Sequence, residues 1–167
     1  MITYHWKDLI DGKIPSDCTK LECNCKNLHK LPELPQTLEI LICGYNRINK
    51  LPKLPQTLKY LWCGYNKINE LPELPQTLID LLCNNNNLNE LPELPQTLVI
   101  LRCDNNNLSY LPELPQTFEQ LYCYNNNIKY LSSHNYSIIK KLEHIELYNN
   151  PFCANFTTYK EFISSLE

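Results

Sequence analysis

Leu71-Pro-Glu-Leu-Pro-Gln-Thr-Leu-Ile-Asp-Leu-Leu-Cys-Asn-Asn-Asn-Asn-Leu-Asn-Glu90 decides the fold. The pattern returns without a gap at 31–50, 51–70, 91–110 and 111–130, a period of 20 residues. The shared frame is L-P-x-L-P-Q-T-[LF]-x-x-L-x-C-x-x-N-x-[IL]-x-x. Leu81 and Cys83 alternate with Asp80, Leu82 and Asn84, and a period of two predicts a short strand with Leu and Cys pointing inward. Successive units then pair their strands in parallel, about 4.8 Å apart. Asn46, Asn66, Asn86, Asn106 and Asn126 end these strands. Each short amide offers donors and an acceptor to the turning backbone, so the stacked set predicts a ladder. In L-P-x-L-P the prolines fix φ and donate no hydrogen bond. Their spacing of three is the polyproline II period, which places Leu71 and Leu74 inward and Pro72 and Pro75 outward. Glu33, Lys53, Glu73, Glu93 and Glu113 recur beside them as a solvated stripe.

Within this frame sits L-x-x-L-x-C-x-x-N-x-L, by which the chain resembles the leucine-rich repeat family. The resemblance implies an α/β-type solenoid with a curved parallel sheet on its concave face and an extended convex side. It implies a protein-binding module without catalysis. The L-P-x-L-P opening is similar to the short repeats of bacterial effectors. Similar Asn- and Lys-rich units with Cys in the strand occur in giant DNA viruses of amoebae, which implies action in a host cytoplasm. Some of those effectors carry a ubiquitin-ligase domain after the repeats. No such domain lies within these 167 residues, so that activity is not carried over. A recognition arm for a separate ubiquitin ligase, and a self-associating structural component, stand as alternative readings.

The chain is expected to form one domain, with an amino-terminal cap over 1–13, about seven repeats over 14–152 and a carboxy-terminal cap over 153–167. A degenerate first unit begins near Ile14, and Lys26 replaces the ladder Asn, which predicts a looser loop. Residues 3–11 read as a short capping helix, with Tyr4, Trp6 and Leu9 on one face and Gly12 as its stop. A stack of repeats exposes its core at both ends, so atypical end units are expected. After Ile128 the next strand, near Ile145, comes 24 residues after that of Leu121. Ser137–Glu143, with Ile138, Ile139 and Leu142, predicts a helical turn in the extra length. Thr158 and Glu161 read as a capping box opening a helix with Tyr159, Phe162, Ile163 and Leu166 on one face.

Composition excludes several classes. With 15 basic and 18 acidic residues the net charge is −3, so no basic field for nucleic acid exists. The amino terminus lacks a basic region followed by an apolar run, so no signal peptide is read. No apolar stretch approaches the roughly 18 residues of a membrane helix. An intracellular, cytoplasmic protein is expected, and the N-x-[ST] triplets at Asn107, Asn135 and Asn155 are chance matches in that setting.

The nine cysteines read as packing. Cys23, Cys43, Cys63, Cys83, Cys103 and Cys123 all take the inward strand position. Parallel Cα–Cβ bonds one strand apart do not turn toward each other as a disulfide requires. Free Cys packs as a small apolar residue. A zinc site at Cys18, Cys23, Cys25 and His29 is opposed by the frame, which points Cys25 outward and the other two cysteines inward. Asn150-Pro-Phe-Cys153 resembles the close of extracellular repeats, but no further Cys follows it. His5, His29, His134 and His144 are scattered, and no phosphate loop is present. No catalytic residue, cofactor or metal is expected.

Variation gathers on the outward strand positions. There Ile40, Ile42, Tyr60, Trp62, Leu82, Ile100 and Tyr122 form an apolar and aromatic patch, with Tyr45, Tyr65 and Arg102 beside it. Large apolar patches mark interaction sites, and Trp and Tyr serve as anchors in them. These ten positions are the candidate site for a protein partner of a monomeric chain. The competing reading is that cross-strand rings serve the sheet alone.

Overall fold

The computed structural model describes residues 2–5, 13–155 and 164. Eight three-residue strands form one parallel sheet in chain order. They are β1 (Thr3–His5), β2 (Lys20–Glu22), β3 (Ile40–Ile42), β4 (Tyr60–Trp62), β5 (Asp80–Leu82), β6 (Ile100–Arg102), β7 (Gln120–Tyr122) and β8 (His144–Glu146). The 20-residue period fixes the register, with Leu41 opposite Leu61 and Leu61 opposite Leu81. A slip of one residue would turn the buried Leu column to solvent, so the pairing is strongly specified.

Each unit buries the same apolar set. In the central one Leu78, Leu81, Cys83 and Leu88 are wholly buried, and Leu71 and Leu74 are nearly so. Losing one such leucine to Ala typically costs about 2–5 kcal/mol, because the cavity collapses only in part. The return segment 71–75 has no helix or strand. It ends in a turn in which Leu78 N donates to Pro75 O at 3.0 Å. Both leucines face inward as expected, but only Pro72 keeps partial exposure; Pro75 is buried. The second proline opens the turn that brings the chain back under the sheet, so its ring goes in with the core.

Two side-chain ladders close the layers. Asn86 Nδ2 donates to Cys83 O at 3.0 Å and to Cys63 O of the preceding unit at 3.1 Å. Its Oδ1 accepts from Ile68 N, again of the preceding unit, at 2.9 Å. On the opposite side Thr77 Oγ1 lies 2.8 Å from both Gln56 O and Leu58 O. Thr37, Thr57, Thr97 and Thr117 repeat this bond to their own preceding units. Buried carbonyls require partners, and these two side chains supply them where the strands are too short to do so.

After each strand from β3 to β8 one residue adopts a left-handed conformation: Tyr45, Tyr65, Asn85, Asn105, Asn125 and Asn149, with φ between 53° and 57°. Asn tolerates this region, whereas Tyr there is uncommon. The first loop differs. Cys25 and Asn27 both have positive φ, and Asn46 Oδ1 accepts from Lys26 N and Leu28 N at 3.0 Å each. That loop departs from the regular pattern where Lys26 replaces Asn.

The amino end corrects an expectation. Thr3–His5 is a strand and not the opening of a helix. Thr3 pairs with Lys20 and Tyr4 with Leu21, so the sheet edge is covered by another strand. Tyr4 takes the inward column and packs against the core. Trp6, Leu9 and Gly12 lie outside the described residues, as do Thr158, Tyr159, Glu161, Phe162, Ile163 and Leu166. The helix α1 spans Ser133–Ile139, earlier than the expected Ser137–Glu143. Ser132 caps it, its Oγ accepting from Asn135 N at 3.1 Å. The cap fixes the start, and Ile138 and Ile139 enter the core from the last turn.

Candidate binding face

The strands place their outer residues in two columns. One runs Glu22, Ile42, Trp62, Leu82, Arg102, Tyr122, and the other Lys20, Ile40, Tyr60, Asp80, Ile100, Gln120. The middle residue of β2 to β7 is wholly buried, so both columns stand on the open face.

A groove of about 470 Å³ crosses this face. Six of the expected positions line it: Ile42, Tyr45, Trp62, Tyr65, Leu82 and Arg102. Tyr122 lies beyond it and lines a smaller depression of about 240 Å³ with Arg102, Asp104, Tyr124 and Glu146. Ile40, Tyr60 and Ile100 stand half-buried in the second column, outside the groove. Glu22, Asn24, Gly44, Gly64 and Asn84 complete the lining. At the amino end a polar hollow of about 290 Å³ adjoins it, lined by His5, Glu22, Asn24 and Lys26.

One wall is a pair of tyrosines. The rings of Tyr45 and Tyr65 stack with centroids 4.3 Å apart and planes 8° from parallel. At the glycines before them the backbone runs close to the next unit. A Cβ on Gly64 would meet Asn84 Oδ1 at 2.5 Å, and one on Gly44 would meet Gly64 O at 3.1 Å. Ile42, Trp62 and Leu82, successive in one column, form an apolar ridge in the same groove. Trp62 remains 37% exposed, and its Nε1 donates to Asp80 Oδ2 at 3.2 Å. Burial pushes the Asp80 carboxyl up, against the opposing pull of the Trp62 hydrogen bond and the Arg102 charge.

Charge on the face is mixed. Arg102 lies over the Tyr122 ring with Cζ 4.2 Å from its centroid, a cation–π contact. Glu22 pairs with Lys20, which holds its carboxyl below the usual range, and with His5 at 3.1 Å. Asp104 is buried and accepts from Asn105 Nδ2 at 2.8 Å. Asn125 donates to Asn105 at 2.8 Å and Asn149 to Asn125 at 2.7 Å, so a row of amides ends on that carboxylate. Tyr124, stacked on Tyr148 at 4.6 Å, has its phenol pushed up to about 12 by desolvation and then by Asp104.

The cysteine column is packing. All six ladder thiols are buried and free. Desolvation pushes Cys23 and Cys63 up to about 12, and Cys43, Cys83 and Cys103 well above the ordinary thiol range. A buried neutral thiol is a poor nucleophile. Cys18 and Cys23 are inward and Cys25 is exposed, as the frame placed them.

Sequence reasoning did not anticipate the threonine ladder or the part played by Asp80. The first left a signal: Thr is invariant at its place in five units although it fills no apolar position. The second left only an acid in a variable column.

No protein-family model matches the sequence, and no curated protein matches it. Solved structures do. The leucine-rich repeat domain of a Shigella effector superposes with a TM-score of 0.76 at 32% identity, over 85% of this chain and 64% of that one. YopM from Yersinia enterocolitica gives 0.71 at 31% identity, over 83% of this chain and 34% of that one. The functional domain of InlJ from Listeria monocytogenes, which includes a cysteine ladder, gives 0.61 at 26% identity, over 81% of this chain and 31% of that one. The chain thus spans 34% of YopM and 64% of the Shigella domain.

Proposed function

We propose that this leucine-rich repeat solenoid is a non-catalytic module that binds a partner protein through the concave groove between Trp62 and the Tyr45–Tyr65 pair. One observation carries the reading. Tyr45, Trp62 and Tyr65 are 59%, 37% and 44% exposed, yet all three line the same groove. Rings that served only the sheet would be covered by their neighbours. Rings held open, with an apolar ridge on one side and an arginine at the end, have the composition of an interface centre. The likeness to leucine-rich repeat effectors supports a protein partner.

In this reading the chain acts as a monomer in a reducing, intracellular compartment. Nine free cysteines suit such a compartment. The face mixes Glu22, Asp80 and Asp104 with Lys20 and Arg102, which is not a surface for nucleic acid. Among the described residues no helix is long and apolar enough to cross a membrane.

The test is Trp62→Ala. An interface anchor carries about 2 kcal/mol or more, so a partner captured by the parent should bind the variant about 30-fold more weakly. Lost cross-strand contacts with Ile42 and Leu82 should cost about 0.2–1 kcal/mol each in stability. A variant that melts close to the parent and binds undiminished would move the site off the groove.

A further inference from the structure

We propose that Asp80 is a positioning residue of the groove: its buried carboxylate holds the Trp62 indole in the orientation a partner meets, at a cost to the fold. The inference rests on the groove being the binding site.

Nothing in the repeat asks for an acid at this place. The neighbouring units carry Tyr60 and Ile100 in the same column, and others carry Lys20, Ile40 and Gln120. Yet Asp80 is only 9% exposed. Of its two oxygens, Oδ2 accepts the Trp62 indole N–H at 3.2 Å, while Oδ1 meets no donor among the described residues. A buried carboxylate with one oxygen unpaired opposes folding. An aliphatic residue of similar size would pack there without that penalty. Retaining the acid therefore needs a reason outside the core, and the hydrogen bond names it. An indole on an open sheet face has several rotamers to choose from. Anchoring its one polar atom to the adjacent strand selects one and leaves the ring surface in the groove. Preorganising an anchor in this way removes part of the ordering cost of binding.

The groups around the carboxyl define how it titrates. Tyr60 and Trp62 face it from the strand before, and Ile100 and Arg102 from the strand after. Arg102 is the charged one among these four and favours the ionised form, but burial outweighs it and raises the carboxyl. Because the folded state holds this proton more tightly than the unfolded chain does, the penalty is full at neutral pH. It fades as pH falls through the raised value toward the ordinary 3.8.

The experiment follows the indole N–H signals of the full chain by nitrogen-15 NMR. There are two tryptophans, and Trp62→Phe assigns the pair. In the parent the Trp62 signal should shift across the acidic range as Asp80 titrates. Asp80→Asn keeps an acceptor, so the signal should stay near its bonded position and lose its pH dependence. Asp80→Leu removes the acceptor, so the signal should move to the free-indole position. The melting temperature of Asp80→Leu should rise by about 2–4 °C at neutral pH, and the gain should shrink on acidification. A pH-independent Trp62 signal in the parent overturns the proposal. So does an Asp80→Leu protein whose indole signal stays put, or one that melts lower or fails to fold, since the acid would then serve the fold. No partner enters these measurements, so their failure dismisses Asp80 alone and leaves the groove to the Trp62→Ala binding assay.

Discussion

Tyr45 and Tyr65, one repeat apart, lie face to face with ring centroids 4.3 Å apart. Both occupy left-handed backbone positions, with φ of 54° and 57°. The three following units place Asn85, Asn105 and Asn125 at the same conformation. Asn accepts it more readily than an aromatic residue. Tyr45→Asn combined with Tyr65→Asn should therefore leave the melting temperature at or above the parent's, while partner affinity falls. Thermal melts and titrations on the same preparations check both halves. A large drop in melting temperature would mean that the stack belongs to the fold.

The asparagine ladder sets a contrast between adjacent residues. Asn86 is buried and tied to two units, whereas Asn87 is exposed. Asn86→Ala strands Ile68 N and takes one of two amide donors from the Cys63 carbonyl, which keeps Asn66, at about 1–3 kcal/mol. Asn87→Ala should cost under about 0.5 kcal/mol. Denaturant midpoints of the two variants, measured side by side, decide it.

The convex side has a parallel test. Thr77→Val removes the hydroxyl that serves Gln56 O and Leu58 O. The loss should be about 0.5–1.5 kcal/mol, and Thr77→Ser should recover most of it. Equal stability of the Val and Ser variants would show that the ladder is incidental.

The thiols should divide by position. In native protein a thiol reagent should modify Cys25 fast, Cys153 more slowly, and the buried ladder only after denaturant is added. Mass spectrometry of the labelled chain counts the sites. Fast native modification of Cys63 or Cys83 would contradict a closed core.

The strands, their register and the inward column were legible because a period of 20 residues leaves one way to stack them. Relationships that depend on a particular neighbour were not. Thr3–His5 pairs with Lys20–Glu22 because the sheet edge is open to it, a fact about place and not about composition. The start of α1 depends on one capping hydroxyl, that of Ser132. The burial of Pro75 follows from the turn to Leu78, which the polyproline spacing did not encode. On the open face, the six groove residues could be read from strand alternation and from the positions that follow the outward columns. Asp80 could be placed on the face, but not its hydrogen bond to the indole of Trp62, which depends on a side chain one unit earlier.

Both ladders reach in one direction. Asn86 and Thr77 bond backward, to Cys63, Ile68, Gln56 and Leu58 of the unit already made. A turn is thus finished by residues that come after it in the chain. During synthesis from the amino end, the unit holding Ile68 still lacks its partners when its own last residue leaves the ribosome. It closes only once Asn86 has emerged, so folding must trail translation by about one repeat along the whole solenoid.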